Sequence, residues 1–267
     1  MFMRKIEILV TNDDGIESKG LHVLAEILRP FGNITLVAPA YPQSGMSAAV
    51  SLGQELFYKE TCREEGFVAG KLTATPASCI KFGLMQFFPE KYPDLIVSGI
   101  NHGSNASASV IYSGTLGAAA EGALHGITSV GVSIENHSQD VNLGAVRKIL
   151  PSLLGHILEY PPKPGVYLNI NFPDIPFENI KGCTMASQGT GIWIKEFIPL
   201  SAGEGTAVPP EEGMQAYRML GDYEDSPENP PTADHRMMAK GYVTIVPHSV
   251  DYTDYDEMKR LSELWDL

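Results

Sequence analysis

The chain has 267 residues, of which 43% are hydrophobic, and carries a formal charge of −13. That length supports a substantial core, as one large domain or a main domain with an appended piece. The acidic balance leaves no general positive field, which excludes broad attachment to nucleic-acid polymers or anionic membranes. No apolar run approaches the roughly 20 residues of a membrane span, and the first five residues do not open a secretory signal of the usual pattern, so the expected compartment is the cytoplasm. Cys62, Cys79 and Cys183 are too few and too far apart for a disulfide framework or a zinc cage, and read as free thiols.

Taken in order, residues 6–10 form an apolar strand and 18–28 a helix with Leu21, Leu24, Ala25 and Leu28 on one face, Ser18 as cap and Pro30 with Gly32 beyond its end. A strand at 34–38 follows. Thr75-Pro76 has the form of an N-cap with proline at the first helical position, leading into Cys79, Ile80, Gly83, Leu84 and Phe87 on an apolar face. Residues 94–98 form a strand, 114–125 a helix, 129–133 a strand, 141–158 a helix that Pro151 kinks or divides, and 166–171 a further strand. Such alternation predicts an α/β fold: a three-layer, Rossmann-like, mostly parallel sheet with helices on both faces, spanning residues 1–172. Beyond Pro173 the character changes. Residues 201–231 are rich in Gly, Pro and acids and form a long excursion, 242–246 alternates like a half-buried strand, and 254–267 is an amphipathic helix with Met258, Leu261 and Leu264 or Trp265 inward. Residues 173–267 are therefore expected to be an extended β arm that returns to the core and serves association.

The first strand stops abruptly at Asn12-Asp13-Asp14-Gly15. In an open parallel sheet that position lies at the carboxyl edge, where ligands bind. Three readings compete. Two adjacent carboxylates repel one another unless a cation lies between them, and a hard divalent ion is the simplest candidate. The same residues also make an ordinary solvated turn, and a carboxylate just beyond a first strand serves elsewhere as a phosphate acceptor. Two further loops reach the same edge: Pro42-Gln43-Ser44-Gly45 after the second strand, and Gly99-Ile100-Asn101-His102-Gly103-Ser104-Asn105, read as a turn. The latter leads to Tyr112-Ser113-Gly114-Thr115, where Ser113 caps a small-residue helix whose first N–H groups suit an oxyanion. Gly117 and the alanines after it serve close packing. His102 is a general acid, a ligand or merely a packed turn residue, while His22, His125, His137, His156 and His248 show no metal-binding spacing. Neither a P-loop lysine nor a dinucleotide glycine fingerprint follows the first strand.

Together these motifs resemble the SurE family, the stationary-phase survival proteins. The anchors are Thr11-Asn12-Asp13-Asp14-Gly15, Val37-Ala38-Pro39 with Gln43-Ser44-Gly45, Thr75-Pro76, residues 98–105, and Tyr112-Ser113-Gly114-Thr115, all in order. The resemblance implies one divalent ion, magnesium or manganese, held by Asp13, Asp14, Ser44 and Asn101. It also implies hydrolysis of nucleoside monophosphates, sometimes of short polyphosphate, and a homodimer or homotetramer built through the arm. On this reading Asp13 and Asp14 are catalytic, and Gly45, Asn105, Ser113, Gly114 and Thr115 cradle the phosphate. A phospho-aspartate route and a nucleotide-binding regulatory module that does not turn over are the rivals. The sequence departs from the family pattern at Ser47 and Ser107, where glycine is frequent, at Ser78 and Ser109, where Asp is, and at Ala74, where glycine commonly precedes Thr-Pro. Asp234 falls near a family Thr-Asp element, but Ala233 separates it from Thr232, so neither is assigned to the site.

Overall fold

The computed structural model describes residues 5–200, 211 and 213–267. The chain forms β1 (Ile6–Thr11), α1 (Lys19–Leu28), β2 (Gly32–Pro39), β3 (Tyr58–Glu64), β4 (Phe67–Leu72), α2 (Pro76–Phe87), β5 (Leu95–His102), α3 (Gly114–Leu124), β6 (Ser129–Ile134), α4 (Gly144–Glu159) and β7 (Val166–Phe172). It continues through β8 (Gly182–Met185), β9 (Gly191–Ile194), β10 (Phe197–Pro199), β11 (Tyr217–Met219), β12 (Asp222–Asp225), α5 (Asp234–Ala239), β13 (Tyr242–Ser249) and α6 (Tyr255–Trp265).

Nine strands make one sheet in the order β3-β4-β2-β1-β5-β6-β7-β13-β8. Neighbours from β4 through β7 run parallel, β3 and β13 are antiparallel to β4 and β7, and β8 is parallel to β13. The predicted mostly parallel α/β sheet is therefore observed. Pleating sends successive residues of β1 to opposite faces: Ile8 and Val10 join a core with Leu21 and Leu24 of α1 and Val146 and Leu150 of α4, whereas Leu9 packs with Ile80 and Leu84 of α2. With α3 packed against α2, the result is three layers.

Local signals behaved as their chemistry dictates. Ser18 Oγ accepts the Leu21 amide and Thr75 Oγ1 the Ser78 amide, with Pro76 at the first helical position. The loop expected at 99–102 is instead the last part of β5, whose register against β6 shifts between Gly99 and Asn101. Pro151 lies inside a single continuous α4 and does not divide it, and that helix starts at Gly144, leaving Val141 and Leu143 as buried loop residues. The β3–β4 hairpin had no counterpart in the expected elements. Within the excursion at 201–231, residues 201–210 and 212 lie outside the described residues, while β9 pairs with β12 and β10 with β11 as antiparallel ribbons. The α6 expectation needs correction: Asp254 caps a helix that buries no residue, and Met258, Leu264 and Trp265 are 51%, 65% and 63% exposed. Periodicity alone sorts residues into faces and does not supply the surface that covers one. Among the described residues no helix is long and apolar enough to cross a membrane.

Ser18 both caps α1 and accepts from the Asn12 side-chain amide at 2.7 Å. Replacing a capping serine costs about 1 kcal/mol, and here the buried Asn12 Nδ2, which also donates to the Gly15 carbonyl, loses one of its two acceptors. Ser18→Ala is expected to lower unfolding free energy by about 1–3 kcal/mol, checked by urea denaturation.

Candidate functional site

Strand order reverses between β1 and β5: the chain passes from β1 outward to β2 and β4, then crosses to β5 on the other side of β1. Connections that diverge at such a point leave a crevice at the carboxyl edge. Asp13 and Asp14 follow β1, Ser44 and Gly45 follow β2, Asn101 and His102 end β5, and Ser113, Gly114 and Thr115 open α3. All of these except Asp14, Gly114 and Thr115 line one cavity of about 450 Å³, and Asn105 lines it as well.

Each carboxylate is held from a distant part of the chain. The Thr115 hydroxyl and amide donate to Asp13 at 2.6 and 3.2 Å, and the His102 amide donates to Asp14 at 3.0 Å. The Gln43 amide donates to the Asp13 carbonyl at 2.7 Å and fastens the second loop to the first. Gly114 permits the approach of α3, because a Cβ there would lie 2.9 Å from Asp13 Cβ. At Gly117 a Cβ would meet the Ser47 carbonyl oxygen at 2.1 Å, so this bare position packs the helix against the Ser44 loop. Ser113 Oγ accepts the Leu116 amide. Asn101 Nδ2 donates to the Gly103 carbonyl at 2.7 Å, and its amide oxygen accepts no hydrogen bond from the described residues. Asn105 is fixed from three sides: its amide donates to Asn171 Oδ1, its Nδ2 to Ser133 Oγ, and its carbonyl accepts from Asn169 Nδ2, each at 2.8 Å. Ser44 and Gly45 are exposed.

Burial raises the Asp13 carboxyl to about 6, with the Thr115 hydroxyl pulling it down and the Asp14 charge pushing it up. Burial also raises Asp14, against the opposing His102 amide. Neither carboxylate has an ion-pair partner among the described residues. No three His, Cys, Asp or Glu side chains come together among those residues as a metal cluster, so a cation here would depend on neutral oxygen donors beside the two aspartates. His102 is buried, with neither ring nitrogen partnered among the described residues, and burial lowers its pKa.

Two departures from the family pattern fall where the backbone is left-handed: Ser47 at φ +52° and Ser107 at φ +54°. Glycine adopts that conformation without the penalty a Cβ incurs. Ser78, where Asp is common, accepts from the Ser51 amide and the Thr75 hydroxyl, both at 2.9 Å, and so still secures the loop. Asp234 was passed over because its threonine neighbour is displaced. It is fully buried and accepts the Ser107 amide on both oxygens at 3.1 and 3.0 Å and the Gly189 amide at 3.0 Å, tying the C-terminal segment to the loop after β5. The cavity is also lined by His137, Trp193, Glu196, Met219 and Leu220, which no sequence pattern singled out. Only the folding back of β9–β12 brings the last four there.

Fold and crevice define a doubly wound α/β protein with two adjacent aspartates, one buried and one half-buried, at its switch point. The profile of the family described as survival protein SurE matches residues 8–195. The chain is 37% identical over 262 residues to the 5'-nucleotidase SurE of Bacteroides thetaiotaomicron, covering 98% of this chain and 97% of that protein. It is 38% identical over 265 residues to the 5'-nucleotidase SurE of Chlorobium phaeobacteroides, covering 99% and 98%. The crystal structure of the SurE protein from Aquifex aeolicus superposes with a TM-score of 0.79 at 28% identity, covering 97% of this chain and all of that one. The chain belongs to the SurE family.

A carboxyl whose native pKa exceeds its unfolded value binds more protons when folded, so stability falls as pH rises through that interval. For Asp13 the interval runs from 3.8 to about 6. In chelator at pH 7.5, Asp13→Asn is expected to raise stability by up to about 3 kcal/mol and to flatten the decline between about pH 4 and 6, read from urea melts across pH. Relieving the left-handed Ser47 by Ser47→Gly is expected to add up to about 1 kcal/mol, checked by the same melts.

Proposed function

We propose that the chain is a phosphoric monoester hydrolase that converts 5'-nucleoside monophosphates to nucleoside and phosphate, using one magnesium or manganese ion. The observation that carries this reading is a pair of adjacent aspartates without an ion-pair partner among the described residues, the buried Asp13 on the cavity wall and the half-buried Asp14 beside it, with the amide oxygen of Asn101 and the exposed hydroxyl of Ser44 on the same wall. Hard divalent ions take such all-oxygen donor sets, so the residues fit the ion. The names of the relatives supply the reaction.

Asp13, Asp14, Ser44 and Asn101 would hold the ion. When bound, it would supply Lewis-acid polarisation of a phosphoryl oxygen and a lowered water pKa. The remaining work falls to the chain. Thr115 orients Asp13 through two hydrogen bonds, and the His102 amide orients Asp14. A free carboxylate oxygen of this pair takes a proton from the attacking water. Gly45, Asn105, Ser113, Gly114 and Thr115 would cradle the phosphate at the start of α3, where the helix dipole favours an anion while the Thr115 amide and hydroxyl serve Asp13. Phosphoryl transfer needs chiefly such positioning and charge stabilisation. Short polyphosphate would occupy the same phosphate end.

Residues 173–267 would act as an association arm building a dimer or tetramer. The exposed Ile192, Phe197, Tyr217 and Met219 on the arm strands, with Met258, Leu264 and Trp265 on α6, are the apolar side chains such an arm would offer a partner. The three free cysteines fit a cytoplasmic protein.

Purified protein is expected to release phosphate from nucleoside monophosphates with magnesium or manganese and not in chelator, and Asp13→Asn to lower kcat/KM by on the order of 100-fold or more. Folded protein that binds nucleotide yet releases no phosphate with any metal would sink the proposal in favour of a regulatory module.

A further inference from the structure

Part of the cavity lining is left unused by the phosphate chemistry. It includes Trp193, Glu196 and the turn at Leu220 and Gly221, all from the folded-back arm. Trp193 is fixed in place: it sits opposite Tyr223 in the β9–β12 pairing, the two rings meet edge-on at 5.8 Å, and the Tyr223 hydroxyl donates to the Thr190 carbonyl at 2.9 Å. A Cβ added to Gly221 would lie 3.3 Å from the Trp193 ring and 3.5 Å from Glu196 Cγ, so both side chains close over the same bare stretch of backbone. Glu196 is half-buried, and its side chain makes neither a hydrogen bond nor an ion pair among the described residues. A carboxylate near an indole offers a bound base two acceptor oxygens.

Resting on the nucleotidase reading, we propose that this part of the lining is a nucleobase subsite selective for guanine, with Trp193 stacking on the ring and the Glu196 carboxylate accepting from guanine N1–H and the N2 amino group. The selectivity follows from the edges of the bases. Guanine presents two adjacent donors there, matching the two carboxylate oxygens. Adenine and cytosine each set an amino donor beside a ring-nitrogen acceptor that repels the second oxygen, and uracil sets a single N–H between two carbonyls. Leaving a charged acceptor unpaired in a partly desolvated slot penalises the wrong base more than pairing rewards the right one. Stacking by itself is tolerant of base identity, so the two residues divide the work into affinity from Trp193 and discrimination from Glu196.

The test separates binding from turnover. The chain holds two tryptophans, Trp193 and Trp265, so in Trp265→Phe protein the indole fluorescence reports Trp193 alone. Guanosine and GMP are expected to quench it at concentrations at least about tenfold below those needed for adenosine, cytidine and their monophosphates, and kcat/KM is expected to favour GMP by a similar factor. Glu196→Gln is expected to erase the guanine preference while preserving quenching. Trp193→Ala is expected to lower kcat/KM for every nucleotide about tenfold and leave ribose 5-phosphate, which has no base, unchanged. Trp193→Phe should restore most of the loss. Equal quenching by all bases, or an equal loss on ribose 5-phosphate, would overturn the inference while leaving the nucleotidase intact. Guanine-selective quenching without phosphate release would support the subsite and count against the nucleotidase.

Discussion

Two neighbouring carboxylates placed where water is scarce are the constraint on which the site depends. Burial raises the pKa of both Asp13 and Asp14, and they stand just beyond the end of β1, at the point where strand order reverses. Such a pair is stable only with donors on several sides. The surrounding structure reads as a response to that requirement. Thr115 reaches Asp13 from the start of α3, His102 reaches Asp14 from the end of β5, and Gln43 clasps the backbone between. The bare positions at Gly114 and Gly117 let the donors come close enough.

A second layer of support comes from far along the chain. Asp234, from the segment before β13, spends its carboxylate on the amides of Ser107 and Gly189. The left-handed turn at Ser107 and the base of the β9 ribbon therefore share one anchor. The ribbon in turn carries Trp193 and Glu196 to the cavity wall. The crevice is a property of the parallel sheet, but its enclosed volume is a property of the arm.

Much of the fold was legible because it rests on local rules. Ser18, Thr75-Pro76 and Ser113 announced helix starts, and strand-length apolar runs at 6–10, 94–98 and 129–133 announced the sheet. The loops bearing Asp13, Ser44, Asn101 and Ser113 were legible for the same reason, since a strand that stops at small polar residues marks the sheet edge. What escaped depended on partners remote in sequence. Nothing near Trp193 announces that it will face a cavity begun at residue 13. The polar ladder of Ser133, Asn169 and Asn171 behind Asn105 reads as three unremarked strand residues until the strands align. Periodicity also misled at α6, where an amphipathic pattern foretold an inward face and the helix packs none of it. At Pro151 the helix continued through a residue that disfavours it, with Val146, Leu150 and Leu154 burying its face on either side.

The two margins of the sheet are finished differently. At one, β3 presents Lys59, Glu60, Arg63 and Glu64 along an exposed strand whose register slips between Glu60 and Cys62. Charge and a bulge together are how strands avoid templating a neighbour. At the other margin β8 is only four residues long. The sheet is thus a terminated object, poorly suited to recruiting another chain by strand addition at either end. Growth by β-extension, the usual hazard of a large open sheet, is discouraged by the same sequence that leaves its apolar surface on the arm and the last helix.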